Sequence, residues 1–205
     1  MVENIPELLK SLLPKALLEQ SRIHAFEKND CLFHQGKKPV SMFYIVTGEA
    51  VLSRVSNQGE TTILQRRKGG FLSEASLYAD LYHCDAIATQ TGTAITLPIG
   101  EMKIALNDVS FSQKWIQLLS KEIMRLRTQS ERLSLKDIKS KLIHLIETEG
   151  SDGVLNLQSD FKSLAAEIGV THEALYRAIA TLDSEGILKK SPISLELLKN
   201  KKSIP

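Results

Sequence analysis

Near the end of the chain, His172, Glu173 and Arg177 bring an imidazole, a carboxylate and a guanidinium into one short stretch. A guanidinium can bridge two acceptors on one edge of a planar partner, such as guanine O6 and N7, and a carboxylate can accept from the amine of cytosine. The imidazole can donate to a base or to a phosphate. Taken alone, Glu173 and Arg177 one helical turn apart would make a surface ion pair worth about 0.3–0.5 kcal/mol. The residues around them argue for more.

Phe161, Leu164, Ala165 and Ile168 fall at i, i+3, i+4 and i+7, so they predict a helix that buries one face and turns Lys162 and Ser163 outward. Gly169 supplies a tight turn, and Thr171 is a good N-cap for a second helix. Leu175, Ala178, Ile179 and Leu182 line the buried side of that helix. At about 100° per residue, His172, Glu173, Tyr176, Arg177 and Ala180 point the other way. This is the helix-turn-helix arrangement that places side chains in a DNA major groove. Thr171 and Ser163 at the helix starts, with Lys189 and Lys190 in a wing turn, are the candidate phosphate contacts. A short strand over 154–157 and the alternation Ile193, Leu195, Leu197 complete a winged-helix layout.

Upstream, Ile116, Leu119, Ile123, Leu126, Ser130 and Leu133 step at alternating intervals of three and four, with charged residues between them. That is an a/d seam of roughly three heptads with one polar interruption at Ser130. A helix packing this stripe on its own domain is the plainer alternative. The narrowness of the seam and its charged flanks favour pairing with the same helix of a second copy, in a parallel homodimer. Asp137 is the expected N-cap of the next helix, whose face runs Leu142, Leu145, Ile146 to a stop at Gly150. The expected division is therefore 1–109, 110–136 (dimerisation helix and hinge) and 137–205.

Residues 25–99 read differently. Brief apolar runs such as 42–46 and 50–55 are cut by Thr47-Gly48 and Asn57-Gln58-Gly59, the pattern of an antiparallel sandwich or barrel after a helical lead-in over 6–20. The fold class expected is α+β. Met102, Met124 and the aromatic residues read as core. The formal charge is +2, and residues 136–205 hold ten basic and ten acidic side chains, so bulk charge does not announce nucleic acid. Acidic residues and Pro6 in the first stretch argue against a signal peptide, and no segment stays apolar for about 18 residues. A cytoplasmic protein without a membrane partner is expected. Of the two cysteines, Cys31 and Cys84, neither stands in a C-x-x-C pair or a Cys/His cluster with zinc spacing, so no metal is expected. An enzyme on a cupin-like barrel would need converging His and carboxylate ligands, typically with an H-x-H element, which the sequence lacks.

The string LAAEIGVTHEALYRAIATLDSEGIL (164–188) resembles the DNA-binding signature of the Crp/Fnr family of bacterial transcription regulators. FHQG (33–36), YIVTGEA (44–50) and GGFLSEASLY (69–78) resemble that family's sensor half. The resemblance implies a jelly-roll sensor of cyclic-nucleotide-binding type, a long dimerisation helix and a winged helix-turn-helix acting on an inverted-repeat operator in double-stranded DNA. It implies that Glu173 and Arg177 hold base-reading positions, while His172 departs from the arginine of the cyclic-AMP receptor protein. RNA polymerase is the further partner that activation would require.

In the nucleotide-binding members a G-E pair and an R-S-A step cradle the cyclic phosphate. Here Ser73-Glu74 and Cys84-Asp85-Ala86 stand in those places. Losing the arginine removes charge-assisted bonds, and an aspartate beside the phosphate repels it, so cyclic AMP is not the expected effector. Glu74, Cys84 and Asp85 are the candidate effector-pocket residues, Glu74 serving equally well as a turn-capping carboxylate. The iron-sulfur branch of the family needs an N-terminal cysteine cluster that is missing here. His83-Cys84 offers iron-competent donors for a haem or thiol sensor, but neighbours in a strand face opposite ways, and a small buried filler is the plainer role for Cys84. A helix-turn-helix that contacts protein instead of DNA is the remaining alternative.

Overall fold

The structure, a computed structural model, describes residues 5–56, 58–59, 61–157 and 160–198. Two compact units divide at Leu118/Leu119.

Unit one begins with two helices, α1 (Glu7–Leu12) and α2 (Lys15–Gln20), where the sequence suggested one lead-in. Pro14 separates them, because proline drives the residue before it out of the helical region and Leu13 is extended at φ −90°, ψ 141°. Leu9, Leu13 and Leu17 anchor them in the core. The strands are β1 (Arg22–Phe26), β2 (Cys31–Phe33), β3 (Ser41–Val55), β4 (Thr61–Arg67), β5 (Gly70–Leu72) and β6 (Asp85–Pro98). All pairings are antiparallel.

The long strands β3 and β6 run side by side through the whole sheet. At one end they are flanked by β1 and β5, and at the other by β2 and β4. A pair of long strands that changes neighbours half-way must bend, and the register shifts fall between Ile45 and Ala50. Gly48 and Gly92 make the bend feasible. Gly48 has φ +77°, and a Cβ there would sit 2.6 Å from the Thr91 carbonyl oxygen, while one on Gly92 would overlap the Thr47 carbonyl oxygen. The result is the α+β architecture with a rolled antiparallel sheet that the sequence predicted. Its interior packs Phe26, Phe33, Phe43, Ile45, Leu52, Leu72, Tyr82 and Cys84.

A short helix, α3 (Ile99–Ala105), leads into the 26-residue α4 (Val109–Ser134). The first turns of α4 bury Phe111 and Trp115, the latter edge-on to Phe71 at 5.0 Å. Within unit two the burial of α4 inverts. Arg132 is 0 % exposed, whereas Ile123 is 49 %, Leu126 41 % and Leu133 44 % exposed. Arg132 binds Glu149 and Thr148 of α5 (Ile138–Glu149), and His144 of α5 lies 3.5 Å from Glu131. Within unit two, Arg132 of α4 thus turns inward, Ile123 and Leu126 stay exposed, and Leu133 is half-exposed beside the Gly169 turn.

Asp137 caps α5 as expected, accepting from the Ser140 amide at 2.8 Å. Then come β7 (Val154–Asn156), α6 (Phe161–Glu167), α7 (His172–Ser184), β8 (Leu188–Lys190) and β9 (Ser194–Leu197), the strands forming a sheet in the order β7-β9-β8. Leu142, Leu145, Ile146, Leu164, Ile168, Leu175, Ile179, Leu182, Leu188 and Leu195 fill one core. Each fully buried leucine or isoleucine contributes about 1.5–3 kcal/mol of burial before entropy is charged. Three readings are corrected. Tyr78 is 73 % and Tyr176 40 % exposed, so these two aromatic residues are not core. Met124 is 67 % exposed on the outward side of α4 and is not core, and Lys189 and Lys190 close strand β8 instead of sitting in the turn, which Ser191 and Ser194 form by bonding to each other.

Candidate nucleic-acid interface

The turn between α6 and α7 works as its residues require. Gly169 has φ +69°, a conformation costly for a side chain, and a Cβ there would press on Leu133 at 3.1 Å. Thr171 stays extended, and its hydroxyl oxygen accepts from the Ala174 amide at 3.2 Å, which starts α7. With Leu175, Ala178, Ile179 and Leu182 buried, His172, Glu173, Tyr176, Arg177 and Ala180 are all exposed. The three predicted base readers therefore share the open face of one helix.

Glu173 is held below the usual carboxylate range, first by its own backbone N–H, then by the Thr171 hydroxyl, with the charges of His172 and Arg177 adding. At neutral pH it is an acceptor alone, suited to an amine and unsuited to a phosphate. No direct ion pair joins Glu173 to Arg177 among the described residues, so the guanidinium of Arg177 is not committed to that partner.

Three features escaped the sequence reading. Asp160 caps α6 and takes the Ser163 amide at 2.7 Å, so that amide is not free for a phosphate. The Lys190 ammonium lies over the rings of Phe161 at 4.5 Å and Tyr176 at 4.3 Å, and Tyr176 meets His172 edge-on at 4.6 Å. This stack ties the end of β8 to the outer face of α7 through cation–π attraction. The third feature lies in unit one and involves Cys31.

Residues 23–108 match the family model described as the cyclic nucleotide-binding domain. A global nitrogen regulator of Nostoc sp. is 24% identical over 175 residues, 78% of this chain and 78% of the relative. A CooA mutant from Carboxydothermus hydrogenoformans shares the fold at a TM-score of 0.69 and 17% identity, over 96% of this chain and 92% of that one. A CRP/FNR-family transcriptional regulator from Thermus thermophilus matches at a TM-score of 0.55 and 20% identity, over 87% of this chain and 94% of that one. The chain thus resembles a cyclic nucleotide-binding domain over residues 23–108 and shares the fold of a CRP/FNR-family regulator over most of its length.

The residues expected at the effector pocket do not point one way. Glu74 opens a short 3-10 helix, Glu74–Ser76, after Ser73, which is buried and left-handed at φ 66°. Cys84 is 1 % exposed inside the roll, while His83 before it is exposed. Burial, with the Asp85 charge second, pushes the Cys84 thiol up to about 11, so it is protonated at neutral pH. Asp85 turns to the outside, where it accepts from the Gln35 amide at 2.8 Å and lies 3.5 Å from His34 Nδ1. Cys31 Sγ is 3.3 Å from that same nitrogen. The sequence reading gave Cys31 no histidine partner, although the i, i+3 spacing of Cys31 and His34 was a signal for one; nothing along the chain pointed to Asp85.

No helix among the described residues is long and apolar enough to cross a membrane.

Proposed function

We propose that this protein is a sequence-specific DNA-binding regulator that acts as a homodimer on an inverted-repeat operator. The observation that carries the reading is the capped helix α7, which presents His172, Glu173 and Arg177 together on its open face behind a glycine turn. Arg177 bridges guanine O6 and N7, Glu173 accepts from a cytosine amine, and His172 supplies a third contact. Thr171, Lys189 and Lys190 bind phosphates and fix the register. Ser163 is the weakest of the phosphate set, because its amide already serves the Asp160 carboxylate, which repels a phosphate.

The outward seam of α4 supports the dimer. Ile116, Leu119, Ile123, Leu126 and Leu133 make an apolar stripe, and inside unit two the opposite side of the helix is spent on Arg132 and its partners. A second α4 in parallel register covers that stripe. The sensor does not hold cyclic AMP as the nucleotide-binding members do, since a neutral, buried Cys84 and an outward Asp85 stand where the phosphate's arginine is expected.

Selection of bound DNA from a random pool, with and without cyclic AMP, tests the reading. Enrichment of an inverted repeat without the nucleotide is expected. Enrichment only with cyclic AMP overturns the sensor reading, and no enriched sequence in either arm overturns the operator reading.

A further inference from the structure

Outside the DNA-reading face, the structure gathers three metal-competent side chains at the edge of the roll, where β2 and the turn after it meet the first residue of β6. We propose that Cys31, His34 and Asp85 bind a divalent transition-metal ion of the zinc class.

The geometry is that of one face of a tetrahedron. Cys31 Sγ and His34 Nδ1 are 3.3 Å apart, His34 Nδ1 and Asp85 Oδ1 are 3.5 Å apart, and all three ligand atoms lie within 4.8 Å of one another. Bonds of about 2.0–2.3 Å to zinc place neighbouring tetrahedral ligands about 3.3–3.8 Å apart, so closure needs only a small movement of Cys31 towards Asp85. The backbone beneath is fixed by the sheet, since Cys31 is paired with Ile87 and Phe33 with Ala86. The Gln35 amide donates to Asp85 and orients the carboxylate, which is the outer support that ligands of bound metals have.

The donor set selects the ion. Sulfur and imidazole nitrogen beside one carboxylate suit zinc, cobalt or copper, not magnesium or calcium, which take oxygen ligands. The Cys31 thiol donates to the Phe33 carbonyl at 3.0 Å; on binding, that proton leaves to solvent and the thiolate takes the metal. Thiolate and carboxylate then balance the two positive charges of the ion. Cys31 is half-buried while the His34 side chain is 65 % exposed, so the ion has an entry path and keeps a fourth position for water or an added ligand. Bound there, it clamps the turn after β2 to β6, one residue from buried Cys84.

Cobalt(II) titration of the chelator-treated full chain provides the test. A near-ultraviolet thiolate-to-cobalt band that saturates at one ion per chain and is displaced by zinc is expected. Cys31→Ser should abolish the band, His34→Ala and Asp85→Asn should weaken cobalt binding by about tenfold or more, and Cys84→Ser should leave it in place. Absence of the band, or its survival in Cys31→Ser, overturns the proposal. A readout that needs no variant is iodoacetamide labelling of the unaltered chain: zinc should slow labelling of Cys31 by about tenfold or more, and an unchanged rate shows a thiol–imidazole hydrogen bond and no metal site.

Discussion

The outer face of α7 and the beginning of β6 were both singled out for their chemistry, and they differ in how that chemistry is held. On α7, every candidate residue lies on one exposed face of a single helix, set by a cap at Thr171 and a turn at Gly169. At β6, neighbouring candidates part company, Cys84 into the core and Asp85 to the outside with His34 and Gln35. A helix keeps i, i+1, i+4 and i+5 on one side, whereas a strand sends successive side chains to opposite faces. A contiguous motif is therefore a site on the first element and two unrelated positions on the second. The candidate residues on α7 thus share one surface, and those at the start of β6 do not.

The largest effect that can break this contrast concerns α4. Replacing Leu119 and Ile123 with lysine should turn a dimer into monomers by light scattering and remove operator binding with it; intact dimers would sink the paired-helix reading. Next, Arg177→Ala should cost about 1–3 kcal/mol of operator affinity, with preference lost at a single half-site guanine. Uniform weakening across all sequences would instead make Arg177 a phosphate contact.

A smaller change sharpens the account of α6. Asp160→Asn keeps a good cap but removes a negative charge beside the phosphates, so DNA affinity should rise by about twofold to fivefold, a gain of roughly 0.5–1 kcal/mol that added salt erodes. Equal affinity of the two proteins at low salt would place Asp160 away from the DNA backbone. For α5, the Asp137 carboxyl lies below its ordinary range, first through the Ser140 hydroxyl and then the Ser140 amide. Its folded value is lower than its unfolded one, so its contribution is present above the unfolded range and is lost as pH falls through the folded value. Asp137→Ala should therefore lower the melting temperature at neutral pH and match the parent in strong acid; a constant difference across pH would locate the effect elsewhere. The smallest expected signal is none at all: cyclic AMP should give no saturable heat in calorimetry, and tight binding would erase the difference between the two ends.

Legibility in the sequence followed the range of the interactions. Much of the C-terminal unit was readable, because periodic apolar positions, a threonine cap and a turn glycine act within a few residues of one another, although the Asp160 cap of α6 was passed over. The outward seam of α4 was readable for the same reason, though only the burial of Arg132 showed that the other side of the helix is occupied. Met124 was misread because a methionine beside an apolar seam looks like core until the facing surface is known. Lys190 was misplaced by the end of β8, and its seat on Phe161 and Tyr176 depends on three elements meeting.

By itself, the sequence determined the α+β division, the caps that start α5 and α7, the identity of the exposed residues on α7 and the family likeness. Tertiary structure alone decided how β3 and β6 exchange neighbours across Gly48 and Gly92, and which residues of distant segments share a surface. Cys31 and His34 lie three residues apart, a spacing the sequence reading passed over, and Asp85 joins them only through the pairing of β2 with β6. Sheet register is a non-local agreement between strands, and no window along the chain contains it.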